Sequence, residues 1–137
     1  MPAKLSHHEA LIYVMVTMSA ADSTMSDEEL QRIGNQVSQL PVFQDFDEER
    51  LVEVAQKCGE VLAGAKGLDT VLDLVHRALP TTLRETAYAL AVEIAAADLQ
   101  VKQEELRLLE MLRDKLEISK LVVAAIERGA RARHRTV

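Results

Sequence analysis

The chain repeats itself. Residues 9–30, EALIYVMVTMSAADSTMSDEEL, lie over residues 85–106, ETAYALAVEIAAADLQVKQEEL, at a constant offset of 76 and without a gap, with eight identities in 22 positions. The identities are Glu9/Glu85, Val16/Val92, Ala20/Ala96, Ala21/Ala97, Asp22/Asp98, Glu28/Glu104, Glu29/Glu105 and Leu30/Leu106. In each copy an apolar run ends in Ala-Ala-Asp, and Glu-Glu-Leu follows after a short interval. A helix apolar on most sides belongs at the centre of a bundle, because a surface helix needs only one apolar stripe. The duplication therefore predicts two central helices set against each other, each leading into a second helix, with pseudo-two-fold symmetry. The first run, ALIYVMVTMSAA, resembles a signal-peptide core. Its counterpart TAYALAVEIAAA stands in mid-chain, where no such signal works, so both are read as interior helices. Each is also too short for a bilayer, which takes about 20 apolar residues. No direct membrane insertion is expected, and the expected location is the cytoplasm.

Helix signals cover nearly all the chain and nothing reads as a strand, so the expected fold class is all-α. The first helix is placed over Ser6 to Ala21. The second begins at Ser26, where Glu29 stands three residues on in a capping-box pattern, and presents Leu30, Ile33, Val37 and Leu40 before Pro41 stops it. Asp47 is a good N-cap for a third helix reaching about Lys66, with Gly64 and Gly67 at its end. A short fourth helix carries Leu68, Val71, Leu72, Val75 and Leu79 and closes at Pro80. Thr82 with Glu85 makes a further capping-box pattern, opening a fifth helix to about Ala97. A sixth runs from about Lys102 to Leu116, and Ser119 caps a seventh with Val122, Val123 and Ile126. At 137 residues this reads as one domain. Repeat one covers about 6–40, the inserted helices about 47–79, repeat two about 82–117, and the last helix about 119–131.

A net charge of -6 argues against a nucleic-acid or anionic-membrane partner, and the aromatics are only Tyr13, Phe43, Phe46 and Tyr88. Arg128, Arg131, Arg133, His134 and Arg135 form one basic cluster at the C-terminus, read as a solvated helix end whose cations suit the helix dipole. The single cysteine, Cys58, excludes an internal disulfide and is read as a packing residue with Leu51, Val54, Ala55, Val61, Leu62 and Ala65.

The repeated acids have two readings. Carboxylates converging from a turn make an oxygen-rich site for a hard divalent cation. Copy one offers Asp22, Asp27, Glu28 and Glu29, with Ser23 and Ser26 as neutral oxygens; copy two offers Asp98, Glu104 and Glu105 beside Lys102, which repels a cation. Alternatively, acids in a first helical turn interact with the dipole and cap free amides, with no ligand involved.

Ala-Ala-Asp, a short turn, a hydrophobic residue and a Glu, repeated in two helical hairpins, resembles the TerB-like tellurite-resistance family over most of the chain. The resemblance implies a compact all-helical domain, acidic loops holding a divalent metal, a role in tellurite or other stress responses, and membrane-associated protein partners. It implies no enzymatic activity. It places the family's Asp on Asp22 and Asp98 and its Glu on Glu29 and Glu105; the neighbouring acids Asp27, Glu28 and Glu104 are secondary candidates from the residues themselves, and calcium, magnesium, manganese and zinc are the candidate ions. The family pattern has Gly directly after the Asp, where this chain has Ser23 and Leu99, and a leucine is poorly suited to a bend of positive φ. Copy one is therefore the stronger candidate.

His7 and His8 are adjacent on a helix, so their side chains are expected to point apart and be exposed. Asp73 and His76 have the spacing of a two-ligand pair, but no Glu-x-x-His motif accompanies them, and His76 is read as a partly exposed polar residue. Glu93 interrupts the central helix of copy two at the position of Thr17. It is either buried, needing a partner, or on an outward edge with Glu85 and Ala89. No nucleophile and base set, phosphate loop or zinc spacing is present, so the expectation is a non-enzymatic domain or, alternatively, a protein-interaction module whose acids only cap helices.

Overall fold

A computed structural model describes residues 4–20, 25–97 and 102–137. Among these, α1 (His7–Ser19), α2 (Asp27–Gln39), α3 (Leu51–Leu62), α4 (Gly67–Ala78), α5 (Arg84–Ala96), α6 (Gln103–Lys115) and α7 (Lys120–Arg133) form an all-α fold with no strand.

The helix ends follow local chemistry. At α1 the Glu9 amide donates to Ser6 Oγ at 3.1 Å and the Ser6 amide to Glu9 Oε1 at 2.9 Å, and Ser26 and Glu29 repeat the arrangement at α2 with the same distances. Asp47 accepts from the Glu49 amide at 3.0 Å, but it caps a 3₁₀ turn, Glu48–Arg50, that feeds into α3. The expected Thr82–Glu85 capping box does not form. Thr81–Leu83 is instead a 3₁₀ turn closed by the Leu83 amide on the Pro80 carbonyl at 2.9 Å, so α5 starts two residues later at Arg84. The third helix stops at Leu62, four residues short of Lys66, and residues 63–66 turn the chain into α4, which begins at Gly67. A Cβ on Gly67 would stand 2.2 Å from the Leu62 carbonyl oxygen, so only glycine permits this close turn.

Helices α1 and α5, the apolar runs of the two repeats, pack against each other at the centre. From Ala10 to Ser19 every residue of α1 is buried, under α2, α3, α4 and α5. Helix α5 contributes Ala87, Tyr88, Leu90, Ala91, Val92, Ile94 and Ala95 to the core and is covered on its other sides by α6 and α7. The inserted α3 and α4 lie along α1 and on each other. Cys58 is completely buried, with Val54 and Ala55 beside it, as read from its helical face; Ala65 lies outside α3 and is exposed.

Candidate functional site

Both acidic segments of the repeat follow the C-terminus of a central helix. Helix α1 closes with the Ala20 amide on the Val16 carbonyl at 2.9 Å, and α5 with the Ala97 amide on the Glu93 carbonyl at 3.1 Å. Asp22 and Asp98 lie outside the described residues, as do Ser23 and Leu99. The glutamates come after these stretches, in the first turns of α2 and α6.

Glu29 is half-buried, and its Oε1 accepts the Ser26 amide at 2.9 Å; Glu105 is buried, and its Oε1 accepts the Lys102 amide at 3.1 Å. In each repeat one carboxylate oxygen is therefore engaged in holding the helix start. Copy two forms only this half of the capping pattern, since the Lys102 side chain has no acceptor to return. Asp27, Glu28 and Glu104 are exposed and belong to the same first turns, where negative charge interacts favourably with the helix dipole. The Glu pair of the repeat thus sits alike in both copies, with a cap as its common structural role and carboxylate density at the turn as its chemical one.

The histidine expectation is overturned. His8 is buried, with Nε2 2.9 Å from Asp45 Oδ1 and 3.0 Å from the Val42 carbonyl oxygen, and the His7 and His8 ring centroids are 4.0 Å apart. The turn between α2 and α3 folds over the start of α1 and covers His8 with Phe43 and Phe46, whose ring centroids are 5.9 and 5.4 Å from that of His8. Helical geometry alone gives no sign of that cover. Asp45 is an exposed residue in a turn, and its sequence surroundings carry no signal that would have singled it out.

Glu93 lies half-buried on the edge of α5 that it shares with exposed Glu85 and half-buried Ala89, and it has partners there. Its side chain is only 17% exposed and pairs with Arg133 and with His134, whose Nε2 is 2.9 Å from Oε2. The basic tail is accordingly docked at this point, and α7 continues to Arg133 where a frayed end was expected. Asp73 and His76 go to different partners, Asp73 to Lys115 and His76 to Arg84 at 3.4 Å, so they do not form a two-ligand pair. Cys58 lies 3.9 Å from Thr17 Oγ1 and 3.8 Å from the Tyr13 carbonyl, and burial pushes its thiol up to about 12, which leaves it protonated and inert.

Sequence reading missed two further features. Tyr88 donates to Glu127 Oε2 at 2.7 Å and receives Arg113 at 3.4 Å, a polar link joining α5, α6 and α7 inside the bundle. Between α1, α2 and α3 an open groove of about 650 Å³ is lined by Val16, Met25, Leu30, Val52, Ala55 and Leu62.

Among the described residues, seven helices gathered around α1 and α5, with an acidic first turn in α2 and in α6, define a small all-helical domain class. The family model for tellurite resistance protein TerB matches residues 8–128, and the chain belongs to that family. The curated proteins and the solved structures yield no match. No helix among the described residues is long and apolar enough to cross a membrane.

Proposed function

We propose that the chain is a non-enzymatic stress-response domain of the tellurite-resistance type, acting in the cytoplasm through protein partners, including membrane-associated ones. In this reading its first acidic turn holds a divalent cation. The observation that carries it is membership of the TerB family over residues 8–128, which includes both acidic turns. Asp22 and Glu29 are the first-choice ligands, Asp98 and Glu105 the second, with Asp27, Glu28 and Glu104 adding negative charge. All are hard oxygen donors, suited to calcium, magnesium or manganese, with zinc as a further candidate. The engagement of Glu105 by the Lys102 amide and the Lys102 charge beside it make copy two the weaker site.

Glu29 permits a clean test. Glu29→Gln keeps a side-chain oxygen for the Ser26 amide but removes the charge a cation needs. Thermal melts of metal-stripped protein with each ion in turn are expected to rise for the wild type, by about 2.7 kcal/mol of added stability at 100 times the dissociation constant. Glu29→Gln and Asp22→Asn are expected to lose that rise. If no ion moves the midpoint, or both variants respond like the wild type, the acids are helix caps only.

The apolar groove favours a second reading, an interaction module that docks a partner between α1, α2 and α3. Val52, 51% exposed on its rim, is the position to test. Val52→Glu is expected to abolish partner binding with little change in the melt, and retained binding would remove this face from consideration.

A further inference from the structure

We propose that His7, His8, Asp45 and the Val42 carbonyl form a transition-metal site, separate from the acidic turns and suited to zinc. The ligand atoms of His7, His8 and Asp45 all lie within 4.8 Å of one another. His8 Nε2 faces two acceptors at once, Asp45 Oδ1 at 2.9 Å and the Val42 oxygen at 3.0 Å, so a hydrogen on Nε2 could serve them only by being shared. With the ring hydrogen on Nδ1, Nε2 turns its lone pair to the same point. Three donors then surround a position that a cation fills better than one hydrogen does, and His7 supplies the fourth.

The donor set is two imidazoles, one carboxylate and one carbonyl. Imidazole favours zinc, copper and nickel, whereas calcium and magnesium require shells of oxygen. Zinc bonds to nitrogen and oxygen run about 2.0–2.2 Å, which puts neighbouring ligand atoms in a tetrahedral site roughly 3.3–3.5 Å apart. The two contacts at His8 Nε2 need to open by only a few tenths of an ångström. The Asp45 side chain, 78% exposed, and the half-buried His7 ring supply the remaining movement.

The surroundings favour the same outcome. Phe43 and Phe46, both buried, back His8 and fix its ring, as an apolar shell does around a metal ligand. A purely structural clasp between α1 and the turn between α2 and α3 needs His8, Val42 and Asp45 but makes no use of a nitrogen on His7. That difference makes the proposal testable.

The experiment is zinc binding by untagged, metal-stripped full-length protein, followed by competition with a chromophoric chelator, with cobalt substitution giving a visible spectrum of the site. One zinc per chain is expected. His7→Gln and Asp45→Asn should each weaken it about tenfold or more. A double variant, His76→Gln with His134→Gln, should bind as the wild type does. His8 itself is left intact because it is part of the packed core. Absence of zinc uptake, or equal uptake in His7→Gln and Asp45→Asn, overturns the proposal. Loss of zinc in Asp22→Asn but not in His7→Gln places the ion in the acidic turn, which sinks this site and leaves the reading of the acidic turns standing.

Discussion

Cys58 and Tyr88 show what burial does to single groups in this core. The Cys58 thiol is pushed up to about 12 by burial, with Thr17 opposing, and the Tyr88 hydroxyl up to about 12 by burial and by Glu127, with Arg113 opposing. Both groups hold their proton in the folded chain at pH values where the unfolded chain has released it. The stabilising contribution is therefore complete below about pH 9, the ordinary thiol range, and is lost as pH rises toward 12. Stability measured by denaturant is expected to fall between about pH 9 and 12, and Cys58→Ala should flatten part of that fall; an unchanged slope would mean the thiol titrates normally. Packing near Cys58 was legible from its helical face. The Tyr88 link was not, because Glu127 and Arg113 stand 39 and 25 residues away along the chain.

Helix boundaries belong to the scale of the element, and most were readable because caps act within four residues. Ser6, Ser26 and Ser119 each accept an amide three residues on, at 3.1, 3.1 and 3.3 Å. Thr82 failed as a cap because Pro80 initiates a 3₁₀ turn that absorbs its position. The end of α6 is closed by a feature without the glycine that normally marks it. Ile118 N–H reaches the Arg113 carbonyl at 3.1 Å and Glu117 N–H the Asp114 carbonyl at 3.2 Å, with Glu117 at φ 56. This is a Schellman closure with glutamate in the left-handed position. Glu117→Gly is expected to stabilise the protein by about 0.5–1 kcal/mol through relief of that strain, read as a higher denaturant midpoint. A lower midpoint would show that the glutamate side chain matters more than its backbone.

At the scale of the whole molecule, α7 closes the bundle. It covers α5 through Ala130, which is 1% exposed, and through the Tyr88–Glu127 bond, and its end brings Arg133 and His134 to Glu93. The ion pairs themselves are worth little, since Arg133 is 59% exposed and water screens it, so Glu93→Gln should cost less than about 1 kcal/mol. Removing residues 120–137 is a different matter, because it uncovers the apolar surface of a central helix. A clear drop in the denaturation midpoint with a shallower transition is expected on truncation, and an unaltered midpoint would show that the other six helices suffice.

The amino-acid sequence alone determined the all-α class, the duplicated hairpins, the two central helices and most caps. These depend on periodicity and on contacts within a few residues, which any local stretch carries in full. It also marked the acids of the two turns, though Asp22 and Asp98 lie outside the described residues. Only the tertiary structure decided that His8 is buried against Asp45, 37 residues away, and that Glu93 meets a tail 41 residues downstream. Such pairings depend on how whole helices and turns lie over one another, and their sequence separation leaves no local pattern from which they can be read.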